Sequence, residues 1–165
     1  MDKILEFKDL SDNIKKIKQH GTVVLVGGCF DILHKGHIEF LKEAKKQGNT
    51  LVILLESDES VKKRKGETRP INTQSNRANA LSNLPSVDYI ILLPHLKIDL
   101  EYYDLVKKLE PDIIAVTESD PAYNKKVEQA KMVGGEVVKV INRLPYSTTD
   151  LVKDYNFFAQ AKKGF

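Results

Sequence analysis

Two histidines, His34 and His37, stand three residues apart with Gly36 between them, where an apolar run hands over to a helical pattern. The run Thr22-Val-Val-Leu-Val-Gly reads as a buried strand, and Ile38, Leu41 and Ala44 recur on one face of the segment that follows. The imidazoles therefore fall at a helix N-terminus, where unpaired backbone N–H groups and the positive end of the helix dipole favour phosphate. Gly27 and Gly28 close the strand, and Gly36 lies inside the loop, so backbone can approach a ligand closely there. Residues 28–37 thus predict a triphosphate site. At i and i+3 the two rings can project to one side and stabilise charge developing on a phosphorus under attack.

The elements that must position this loop follow from hydrophobic periodicity. Strands are predicted at 22–27, 51–55, 87–93, 112–116 and 136–141. Helices are predicted at 9–19, 36–47, 74–84, 100–109 and 121–133, with a last one from about 148. Near-continuous apolar runs such as Leu51-Val-Ile-Leu-Leu and Tyr89-Ile-Ile-Leu-Leu imply strands buried on both faces, the mark of a parallel sheet between helical layers. The expected fold is a doubly wound, five-stranded parallel α/β sheet of Rossmann-like type. Ligands of such sheets bind beyond the carboxyl ends of the strands. That places 28–37, 56–73, 94–99, 117–120 and 142–148 around the site. Asp120-Pro121 predicts an N-cap followed by the first residue of a helix.

Other residues in these loops have matching chemistry. Asp31 is the only acid inside the histidine loop, and it either holds Mg²⁺ or caps backbone N–H groups of the turn. Lys62-Lys63-Arg64-Lys65 is the one dense basic run. It is short and lacks interleaved aromatics, which favours a local clamp on phosphates over a nucleic-acid surface. Arg69 and Arg77 carry planar forks suited to triphosphate or sugar-phosphate oxygens. Ser147, Thr148 and Thr149 precede the last helix, where hydroxyls and free N–H groups cap the helix, contact a phosphate, or both.

The pattern Gly28-x-Phe30-Asp31-x-Leu33-His34-x-Gly36-His37 resembles the signature of the cytidylyltransferase-like nucleotidyltransferases. These enzymes join a nucleoside triphosphate to a phosphorylated alcohol or sugar and release pyrophosphate. Within them the likeness is to the heptose 1-phosphate adenylyltransferases. It runs through Ser57-Asp58-Glu59-Ser60-Val61, Lys65-Gly66, Arg69-Pro70-Ile71-Asn72, Arg77-Ala78, Val87-Asp88-Tyr89, Pro111-Asp112-Ile113 and Ser147-Thr148-Thr149. The resemblance implies catalysis by His34, His37 and a lid lysine, Lys65. It implies nucleotide contacts from Gly28, Cys29, Phe30, Asp31, Gly36, Ser147, Thr148 and Thr149, and substrate contacts from Asp58, Arg69 and Arg77. Mg²⁺ with ATP or CTP, and a homodimer, are implied as well. The likeness thins after about residue 115. Where the heptose enzymes usually carry a lysine and paired glycines, this chain reads Ala115-Val-Thr-Glu-Ser-Asp-Pro121. Glycerol-3-phosphate cytidylyltransferases and FAD synthetases share the histidine signature and stay open as alternatives. A non-catalytic nucleotide-binding module is the alternative from another class.

Composition bounds the rest. The 165 residues predict one nucleotidyltransferase domain, with 1–20 as a helical lead-in and 148–165 as a terminal helix, and without the kinase domain that can accompany heptose enzymes. Charged residues form 30% and apolar residues 41% of the chain, and the net charge is +3, ordinary for a globular cytoplasmic protein. No run reaches the roughly 20 apolar residues of a membrane span. The single cysteine, Cys29, rules out an internal disulfide framework.

Overall fold

The computed structural model describes residues 2–141. Its centre is a parallel sheet of six strands, β1 (Ile4–Glu6), β2 (Val23–Gly28), β3 (Thr50–Leu55), β4 (Tyr89–Leu92), β5 (Ile113–Thr117) and β6 (Glu136–Ile141). Their spatial order is β1-β4-β3-β2-β5-β6. The sequence reading gives five strands and misses β1, because three residues are too few to show a period. Ile4, Leu5 and Glu6 pair with Ile90, Ile91 and Leu92 and cover the edge of β4. The rest of the lead-in is helical, a 3₁₀ turn at Phe7–Asp9 running into α1 (Leu10–Lys18).

Alternation along the strands feeds two cores. On β3, Leu51, Ile53 and Leu55 face one layer with α2 (Lys35–Lys45) and α4 (Gln74–Ser82), packing against Leu41, Ala44, Ala78 and Leu81. Val52 and Leu54 face the other layer, with Leu10, Ile17, Leu105, Val106 and Ala130 from α1, α5 (Asp99–Leu109) and α6 (Tyr123–Met132). All six residues of β3 are buried. Full burial of each such aliphatic side chain contributes about 1.5–3 kcal/mol, which makes this central strand the backbone of the fold's stability.

The order of strands fixes where a ligand fits. From β2 the chain steps outward through β3 to β4, then returns to lay β5 on the opposite side of β2. This reversal is the topological switch point of a doubly wound sheet. β2 pairs with β3 over six residues, Val23 to Gly28, but with β5 only at Val24 and Leu25. Beyond Leu25 the two strands part, and a crevice opens at their carboxyl ends.

Two boundaries differ from the sequence reading. Residues 58–65, read as part of a long loop, form α3 (Asp58–Lys65). Val61 is its single apolar residue, so periodicity could not reveal it. Local chemistry builds the helix instead: the Ser57 side chain accepts from Ser60 N, acids occupy the first turn and four basic residues the last. Asp120 does not cap α6. Its Oδ1 accepts from Ala122 N at 2.7 Å, and the helix begins at Tyr123.

Candidate active site

A cleft of about 960 Å³ lies over the carboxyl ends of the strands and is lined by Gly27, Gly28, His34, Gly36, His37 and Lys65, among others. His34 is the N-cap of α2. Its Nδ1 accepts from Gly36 N at 3.1 Å and from His37 N at 3.4 Å. Because that nitrogen accepts, the proton of the neutral ring sits on Nε2, which is left for a ligand. His37, in the first turn, stacks on His34 with ring centroids 3.7 Å apart and planes 23° from parallel. Its Nδ1 is shut off from solvent with no partner in hydrogen-bonding geometry. Nε2 is again the atom left over.

Burial pushes the His37 pKa down to about 4, with the His34 and Lys65 charges adding to the fall and the Ile32 carbonyl opposing it. Burial lowers the His34 pKa as well. At neutral pH both rings are uncharged, and His34 keeps an Nε2–H donor at the helix N-terminus, where negative charge is favoured.

The loop that carries them is built around Phe30, whose φ of +48° is left-handed and costly for an aromatic residue. Phe30 meets the His37 ring edge-on at 5.3 Å. Its ring also occupies the space where a Cβ on Gly28 would come within 2.7 Å, so only glycine fits there.

The Asp31 carboxylate is turned to the amides of a second loop rather than to those of its own turn. It accepts from Ile71 N and Asn72 N, each at 2.9 Å, and from Arg69 Nε at 2.8 Å. Burial pushes the Asp31 pKa up, but the Asn72 and Ile71 amides and Arg69 together outweigh it and hold it below the usual carboxylate range. Those donors occupy the group as a structural anchor between the histidine loop and residues 69–72.

The two arginines expected at substrate are both internal. Arg69 has a side chain 3% exposed and is spent on Asp31. Arg77 is wholly buried and donates to the carbonyls of Cys29, Glu56 and Asn72 and to Asp58 Oδ1. It ties together the ends of β2 and β3, the start of α3 and the lead into α4. Neither residue lines the cleft, so in this structure they shape the site from behind. Asp58, the third expected substrate contact, is half-exposed and paired with Arg77.

Lys65 is the last residue of α3, exposed at the cleft, and Gly66 follows it with φ +104° as the helix terminator. Cys29 also faces the cleft, with Sγ 3.7 Å from Arg64 Nη2. Ser147, Thr148 and Thr149 lie outside the described residues. No group of three or more metal-ligating side chains occurs among the described residues.

Several cleft residues were not singled out from the sequence. Glu56, Ser60, His95 and Tyr102 border it on the β3–β4 side, and Thr117, Asp120, Lys126 and Gln129 form the wall beyond β5. The loops at 56 and 94–99 pointed to the first group, but nothing in the spacing marks Tyr102, which α5 brings in from the far layer.

The cytidylyltransferase-like family profile matches residues 25–156. The bifunctional protein HldE of Wolinella succinogenes is 37% identical over 86% of this chain and 30% of its own length. That of Campylobacter fetus is 40% identical, with the same coverage of each chain. The chain thus spans under a third of the length of these relatives. Among solved structures, a lipopolysaccharide core biosynthesis protein from Thermoplasma volcanium superposes with a TM-score of 0.60 at 29% identity, over 76% of this chain and 98% of that one. A pantoate-beta-alanine ligase from Francisella tularensis shares the fold, with a TM-score of 0.58 at 17% identity over 86% of this chain and 68% of its own.

Proposed function

The chain belongs to the cytidylyltransferase-like family and is a nucleotidyltransferase, and from that premise we propose that it transfers AMP from ATP to a sugar phosphate such as heptose 1-phosphate. An oxygen of the acceptor phosphate attacks the α-phosphorus in line, the bond to the β-phosphate bridge breaks, and pyrophosphate leaves. Such transfers need positioning and charge stabilisation far more than covalent chemistry. One observation carries the reading. Two stacked, neutral imidazoles at a helix N-terminus border a cleft opened by the sheet's reversal.

His34 takes the α-phosphate through Nε2–H with the His37 ring stacked beside it, and the α2 amides supply further donors. Lys65 closes on the β- and γ-phosphates from the end of α3. Gly28, Cys29 and Gly36 let the triphosphate approach the backbone, Phe30 and Asp31 hold the loop in shape, and Ser147, Thr148 and Thr149 complete the anion site. Arg69, Arg77 and Asp58 fix the loops that the acceptor meets. Mg²⁺ fits this donor set as an ion carried in on the triphosphate, which keeps most of its water, because the Asp31 carboxylate is buried against Arg69 and the 71–72 amides and does not border the cleft. Bound there it would neutralise charge on the departing pyrophosphate.

The heptose assignment rests on the motif likeness and on relatives that share it along most of this chain. Glycerol 3-phosphate with CTP is the second reading, favoured by the divergence of residues 115–121, several of which line the far wall. A homodimer is the expected assembly. No described helix is long and apolar enough to cross a membrane.

The test is pyrophosphate release by pure protein with Mg²⁺, ATP or CTP, and heptose 1-phosphate or glycerol 3-phosphate. Release only with CTP and glycerol 3-phosphate replaces the first reading with the second. Nucleotide binding without turnover by any pair would reduce the protein to a binding module.

A further inference from the structure

We propose that Glu56 is a specificity-determining residue that accepts hydrogen bonds from the hydroxyl groups of a polyhydroxylated, phosphorylated acceptor. The inference rests on the nucleotidyltransferase reading and deepens it by assigning the acceptor side of the cleft. Glu56 follows β3, and its N–H donates to Gly28 O at 3.1 Å, so it sits one strand from the histidine loop on the side away from β5. The nucleotide then spans the β2–β5 crevice, and the acceptor approaches over β3 and β4.

A buried carboxylate must be supplied with donors. The Glu56 side chain is 8% exposed and receives two. Tyr102 OH stands 3.0 Å from both oxygens, and Arg64 Nη2 stands 3.2 Å from Oε1. Two carboxylate oxygens offer about four acceptor positions, so at least one is left for a further donor, and Glu56 borders the cleft. Burial and the Glu56 charge push the Tyr102 phenol far above its usual pKa, which keeps it a fixed donor. Tyr102 and Arg64 border the cleft beside Glu56, so the carboxylate is fixed at the cleft with acceptor capacity to spare.

The surroundings decide between an ammonium and a hydroxyl as the missing donor. Arg64 already neutralises Glu56, and Lys63, Lys65, His95 and Lys97 border the same cleft. A second cation would be repelled, whereas a neutral hydroxyl on a molecule carrying phosphate matches both features. Ser60 Oγ lies 2.8 Å from His95 Nδ1 and Glu59 Oε1 lies 3.7 Å from its Nε2, so that ring is held among its own neighbours and Glu56 is the acceptor left for a sugar hydroxyl.

The experiment measures pyrophosphate release with ethanolamine phosphate, glycerol 3-phosphate, mannose 1-phosphate and heptose 1-phosphate, using wild type, Glu56→Gln and Tyr102→Phe. Wild-type kcat/KM should rise with hydroxyl count. Glu56→Gln should raise the acceptor KM about tenfold to a hundredfold, as loss of a hydrogen bond to a charged group does, with the KM for the triphosphate unchanged within about twofold. Tyr102→Phe, which keeps the carboxylate but loosens it, should raise acceptor KM several-fold with little change in kcat. It reads the same subsite should Glu56→Gln fail to fold. An acceptor KM unchanged in both variants, or a preference for ethanolamine phosphate, overturns the assignment. If wild type releases no pyrophosphate with any pair, the transferase reading fails. Calorimetry of mannose 1-phosphate on wild type and Glu56→Gln then decides the subsite separately, with equal affinities overturning it.

Discussion

The two walls of the cleft are built on different principles. Around the histidines, side chains are locked by buried charge: Arg69 on Asp31, and Arg77 on three carbonyls and Asp58. Across the crevice, the 117–129 wall is held by an exposed pair, Lys125 with Asp99, and a mostly covered one, Lys126 with Asp120. Under the proposed function, the difference teaches that the reacting phosphorus would meet a rigid frame, while the nucleotide base would meet a more loosely held wall. This is also where the chain departs from the heptose enzymes it resembles.

The sharpest way to break this contrast is to remove one cation from each wall. Arg69→Met leaves Asp31 buried and unpaired and should cost about 3–5 kcal/mol in chemical denaturation. Lys125→Met should change stability by no more than about 1 kcal/mol. Equal losses would erase the distinction. Next in size, His37→Ala should lower kcat about a hundredfold or more in a pyrophosphate assay, while the thermal midpoint barely moves.

Acid should expose the frame as well. With His37 depressed to about 4 in the folded state and near 6.5 when unfolded, the unfolded chain binds the extra proton between those values. Stability is therefore complete above about pH 6.5 and falls by roughly 3 kcal/mol as pH drops toward 4. Denaturation series at several pH values should show this slope in wild type and a shallower one in His37→Ala. Smaller still, Lys65→Ala should raise the KM for the triphosphate about tenfold, the loss of one charged contact, with kcat reduced less. Smallest of all, Thr117→Ala should shift the ratio of ATP to CTP use by only a few-fold, read by competition between the two.

Much of this was legible in the chain. The 3.6-residue and continuous apolar patterns give α2, α4 and α5 within one or two residues, because each buries a stripe or a face. The histidine loop is legible because His, Gly and Asp at those spacings have few other uses at a strand-to-helix turn. What escaped has no periodic signature. β1 is three residues long, and α3 rests on a cap and on its charges rather than on an apolar face.

Residue type and spacing determined the parallel α/β sheet, the phosphate-favouring turn and the two imidazoles, since these depend on local conformation and on which side chains must be buried. Only the tertiary structure decided which charges face the ligand. Arg69, Arg77 and Asp31 have the chemistry of a substrate site, yet folding places them against each other and the backbone. Glu56 and Tyr102, 46 positions apart, are brought together at the cleft instead. A charged side chain in the sequence has no stated partner; packing supplies one, and the low dielectric around a buried pair then fixes its role.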